Sequence, residues 1–165
     1  MRRHILGLTV ALSAAAAAAL ASGTDSYEVW AIDQSNSPGT TFGGTLYIWD
    51  GHDLENKHGA SLAPAEKIDL GGAAASLCLS LTGANPVRPH MMAVNTSQTH
   101  VIISFVASGH VLFVDGTTRQ PVACIRTSAG AGGGRQAHMS SPAPGETSVT
   151  VGNQNGKPFE RIRNN

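Results

Sequence analysis

The chain has 165 residues, 41% hydrophobic and 13% charged, with 11 basic against 11 acidic side chains. This is a globular, charge-poor composition, and no basic stripe runs through it for nucleic acid and no polybasic patch for a membrane surface. Its length suffices for one ordinary domain with a core of its own.

The chain opens with Arg2 and Arg3, an apolar, alanine-rich run from Ile5 to Leu20, and the small-residue pattern Ala19-Leu20-Ala21 before Ser22-Gly23. This is the layout of a secretory signal peptide. The apolar run is shorter than the roughly 20 residues of a membrane span, so cleavage after Ala21 is expected and an uncleaved anchor is the alternative. Residues 1–21 are read as leader and 22–165 as the exported domain, periplasmic or secreted. Without the leader the chain carries 9 Lys and Arg against 11 Asp and Glu. Two cysteines, Cys78 and Cys124, stand among apolar neighbours. An oxidising compartment permits their pairing and apolar burial suits an inert thiol, so the sequence leaves both open.

Past the leader, no segment shows the i, i+3, i+4 apolar spacing of a helix over ten residues, and an all-β chain is expected. Tyr27 to Ile32 reads as a strand, Asp33 to Thr41 as a long polar turn, and Gly44 to Gly51 as a strand closed by Asp50-Gly51. From His90 the pattern is densest. Met91 to Val94, His100 to Val106, Val111 to Val114 and Pro121 to Arg126 are short apolar runs, separated by turns at Asn95 to Gln98, Ser108-Gly109 and Asp115 to Thr118. They predict a four-stranded antiparallel meander. Two of these runs are apolar on both faces, so the sheet must be sandwiched between others.

After the glycine-rich stretch Ala129 to Gly134 the pattern restarts. Arg88-Pro89-His90 is echoed by Arg135 to His138, and Ala107 to His110 by Gln154 to Lys157. Gly44 to Gly51 parallels Gly109 to Gly116 as a weaker third copy. Four short strands every 40 to 50 residues or so is the pattern of propeller blades, and about three blades are expected. A β-sandwich with look-alike turns is the alternative.

At these residues the chain resembles the secreted YVTN-repeat β-propellers, whose relatives include the propellers of nitrous-oxide reductase, selenium-binding protein and quinoprotein amine dehydrogenase. The resemblance rests on Pro89-His90 opening a blade, on Ala137-His138 followed by Ser141 to Gly145 in the place of an SPDG turn, and on Val149 to Asn153 in the place of YVTN. It implies a partial propeller, since such proteins have about seven blades. The chain is then either part of a longer propeller or a module that associates through open blade edges.

The same resemblance places His90 and His138 at one mouth of the central channel. Two imidazoles there, with Met91, Met92 and Met139 beside them, suit a transition metal and copper in particular. Hydrogen bonding at the blade entrance is the plainer role for both. His52 and His58, with Asp53 and Glu55, offer a loose surface site, while His100 and His110 read as ordinary strand positions. No nucleophile elbow or triad is present, and the glycine run before Arg135 lacks the helix of a dinucleotide loop. The expected function is binding of a protein or small ligand. A copper- or quinone-dependent oxidoreductase, active only if further blades complete the site, is the alternative.

Overall fold

The computed structural model describes residues 26–56 and 63–163. The expected leader, residues 1–21, and His58 lie outside these residues. Within them the chain is mostly β, in three antiparallel sheets. The first sheet holds β1 (Glu28–Asp33), β2 (Thr45–Asp50) and β3 (Glu66–Asp69); the second β4 (Pro89–Val94), β5 (His100–Phe105), β6 (His110–Asp115) and β7 (Pro121–Arg126); the third β8 (Ala137–Pro142), β9 (Ser148–Asn153) and β10 (Phe159–Arg163). In each sheet the strands lie in chain order. The expected meander is present, and its four strands stay in one sheet.

Two helices depart from the expectation of an all-β chain: α1 (Gly51–Asn56), where a polar loop was expected, and α2 (Ala73–Thr82). The second, Ala-Ala-Ala-Ser-Leu-Cys-Leu-Ser-Leu-Thr, consists largely of strong helix formers. It shows no amphipathic period because Leu79 and Leu81 are 47% and 59% exposed, while Ala74, Ala75 and Cys78 are buried. Gly83 ends it in the left-handed conformation, its N–H donating to the Leu79 carbonyl, a conformation that glycine adopts without a Cβ penalty.

The second sheet lies between the other two because β5 is apolar on both faces. Val101, Ile103 and Phe105 join Leu46, Ile48, Leu70, Leu112 and Cys78 in one core cluster, against the first sheet and α2. Ile102 turns the other way and meets Val111, Ala137, Val149 and Val151 of a second cluster, against the third sheet. The strand period of two thus divides a single strand between two cores. The one polar residue in that strand's interior, Ser104, is matched across the joint by Ser140, their hydroxyls 2.7 Å apart.

Three polar or covalent ties reinforce the stack. Cys78 on α2 and Cys124 on β7 form a disulfide, which resolves the pairing that the sequence leaves open. Arg119 joins the first two sheets: its guanidinium pairs with Glu28 and lies 4.7 Å from the centre of the Trp30 ring. Glu146, in the β8–β9 turn, accepts from the Ser97 backbone N–H and from Asn95 Nδ2 in the β4–β5 turn. These bonds hold its carboxyl below the usual carboxylate range.

Candidate functional site

His90 on β4 and His138 on β8 come from different sheets and meet. Their Nε2 atoms are 3.1 Å apart and the rings stand edge to face, with centroids at 4.4 Å. The backbone explains how. The β4–β5 register slips between Pro89 and Met91, and the β8–β9 register slips at the corresponding place, between Ala137 and Met139. Each histidine is therefore the extra residue of a β-bulge. A bulge re-aims the side chain it carries, and here two bulges turn two imidazoles towards one another at the mouth of the stack.

A third element reaches the pair. Gln34, just after β1, places its side-chain amide nitrogen 2.7 Å from His90 Nδ1. With that NH2 donating, Nδ1 accepts, and the His90 proton sits on Nε2 and bridges to His138. Turning the amide over presents its oxygen instead, so that His90 Nδ1–H donates and its Nε2 lone pair is freed. Gln34 therefore sets which nitrogen of His90 carries the proton. Partial burial, and then the neighbouring His138 and Arg88, lower the His90 pKa, which favours the neutral ring, with one N–H and one lone pair. His138 is exposed and opens on a cleft of about 430 Å³ shared with Asn153, Lys157 and Phe159.

The structure thus brings together the two histidines singled out by the sequence and adds Gln34, whose only sequence signal was a polar side chain following a strand. Met92 is drawn away from the pair, since it packs against the core between the first two sheets. His52, on α1, has Nδ1 3.8 Å from Glu55 and sits edge-on to Tyr27. His100 bonds the Thr99 hydroxyl. His110 is fully buried, with ring nitrogens 2.8 Å from Thr82 Oγ1 and 2.9 Å from Ser108 Oγ. Its burial, and then the nearby Arg126, push its pKa down to about 4. It is a structural histidine.

Two imidazoles are donors suited to a late transition metal. Among the described residues no cluster of three or more His, Cys, Asp or Glu could hold a metal ion, so a closed protein cage is not formed here, and solvent or another ligand would complete the coordination.

A second concave feature lies between the second and third sheets. It is a groove of about 400 Å³ with Ile102, Phe113, Ile125, Val149 and Ile162 in its wall and His100, Glu146 and Arg163 among its polar residues. The second sheet has four strands and the third three. Val122 on β7, in the groove wall, is left 49% exposed.

Comparison of the chain with protein-family models, with curated proteins and with solved structures gives no match. Among the described residues no helix is long and apolar enough to cross a membrane.

Proposed function

We propose that the chain is an exported module of propeller-blade sheets that works by binding, and that its ligand is an extended peptide segment lying in the groove between the second and third sheets. The observation that carries this reading is the conjunction of an apolar groove with the strand edge of β10, beside which no described strand lies. An added strand pairs its backbone with that edge and turns alternate side chains inward against Val122 and Ile125, the mode of β-augmentation. Arg161 and Arg163, exposed on β10, favour acidic residues at the outward positions.

The blade reading draws support from the way features recur at one interval. The paired histidines are 48 residues apart, and the same interval separates the two bulges. It also separates the left-handed residues Gln98 and Glu146 in one turn, and Gly109 and Lys157 in the next. β1 packs on β4, and β4 and β5 both pack on β8, so neighbouring sheets meet through their leading strands. Export is supported by the Arg2-Arg3 leader pattern and by the disulfide, a bond that persists in oxidising compartments.

The test takes protein recovered from the cell envelope, and recovery from the cytosol alone would refute export. Selection from a library of random peptides should yield sequences with alternating apolar residues. Val122→Glu, at an exposed position, should weaken their binding at least tenfold. Selected peptides that bind the variant and the parent equally would refute the groove. The oxidoreductase reading, with copper or a quinone, draws instead on the histidine pair, and it requires more ligands than two imidazoles.

A further inference from the structure

We propose that His90 and His138 together chelate one divalent late transition metal through their Nε2 atoms, clasping the second sheet to the third, with Gln34 as the positioning residue behind His90. The two nitrogens are 3.1 Å apart. Metal–imidazole bonds of about 2.05 Å to nitrogens at that separation subtend about 98° at the ion, between the square-planar and tetrahedral angles. The separation of the two nitrogens therefore matches the span of one ion, and the rings have only to turn their Nε2 lone pairs from each other towards it.

Three observations set this pair apart from two histidines that merely touch. Each imidazole sits on a bulge that interrupts its strand ladder, and bulges gather where a side chain must be re-aimed for a task. The far nitrogen of His90 has the Gln34 amide NH2 2.7 Å away, and turning that amide over places its oxygen there, the kind of carbonyl partner that commonly holds a ligating imidazole from behind. His138 is exposed beside an open cleft, which gives an ion an entry path and leaves coordination positions to water. On binding, the bridging proton leaves the pair and the Gln34 amide turns its oxygen to His90 Nδ1–H. Imidazole donors and the usual order of divalent affinities rank Cu(II) above Zn(II).

Titration calorimetry of the full chain with CuSO4 and with ZnCl2 tests the site. One equivalent of each ion is expected, Cu(II) the tighter, with affinity falling at least tenfold in His90→Ala and in His138→Ala. A fall of about tenfold is expected in Gln34→Ala, whereas His52→Gln and His100→Gln should leave the titration unchanged. Unfolding curves recorded in EDTA establish whether each variant folds. Independently of any variant, the EPR spectrum of the Cu(II)-loaded wild type should show coupling to two equatorial nitrogens. Absence of binding, an affinity that folded His90→Ala and His138→Ala variants retain, or a spectrum with one nitrogen or none overturns the proposal. None of these outcomes bears on the peptide groove, which lies on the other side of β9 and β10 and is probed by Val122→Glu.

Discussion

Breaking the Cys78–Cys124 bond should cost the protein much of its stability. The bond closes a loop with a sequence separation of 46, and that loop runs from α2 through β4, β5 and β6 to β7, so it encloses almost the whole second sheet. In the chain-entropy account, cross-linking a loop of this size removes about 13.5 cal/mol/K from the unfolded chain, or about 4 kcal/mol at 25 °C. Marginal domains have only about 5 to 15 kcal/mol in total. Reduction leaves both sulfur atoms in place, so it isolates the cross-link. Cys78→Ala with Cys124→Ala also removes two buried side chains, 0% and 4% exposed, and should cost a further 1 kcal/mol or so for each small cavity. Urea unfolding followed by the fluorescence of Trp30 and Trp49 measures both. Reduced protein should unfold with about 4 kcal/mol less stability, and the double variant with still less. A loss below about 1 kcal/mol on reduction would refute the reasoning, because it would mean the unfolded chain is already held together without the bond.

Acid should weaken the fold through His110. Its pKa is pushed down to about 4 in the folded state against about 6.5 unfolded, so the unfolded chain takes up the proton first. Stability present above pH 6.5 is therefore lost as the pH falls towards 4, by about 2 kcal/mol at pH 5. His90, whose pKa is lowered too, adds in the same direction, and Glu146 and Glu160, held low by their hydrogen bonds, add only at more acid pH. Urea midpoints should fall less steeply between pH 7 and 5 in His110→Gln than in the wild type; identical slopes would sink the assignment. Asn153, only 2% exposed, accepts from the Gln136 and Gly156 N–H groups and donates to the Ser128 carbonyl and Glu160. Asn153→Ala strands these buried partners and should cost about 3 kcal/mol in the same unfolding assay.

The meander from Pro89 to Arg126 was legible because short strands announce themselves through alternation, β-branched residues and turn chemistry, all of which are local. The double-sided character of Val101 to Phe105 was equally legible, and it required a sheet on each side before either was seen. The helix α2 was not. Amphipathic period is the signal for a helix lying on a surface, and this one leaves Leu79 and Leu81 outside while turning alanines inward, so no stripe of large apolar residues marks it. Its composition of alanine and leucine ahead of Gly83 was the signal that remained.

The candidate site divides in the same way. That His90 and His138 hold matching places follows from the echo of Arg88-Pro89-His90 in Arg135 to His138, which a single sequence can display. That their Nε2 atoms meet depends on two register slips and on the distance between neighbouring sheets, and neither is encoded within a few residues of either histidine. Gln34 is farther still from legibility, being 56 residues from His90 and in an unremarkable polar turn. By itself, then, the sequence determined the strand pattern, the need for stacking and the identity of the paired imidazoles, since these rest on local propensity and side-chain period. Only the tertiary structure decided the disulfide, the helix beside it, the groove left open beside β10 and the hydrogen bond from Gln34, because each depends on which distant segments the packing of three sheets brings within a few ångströms.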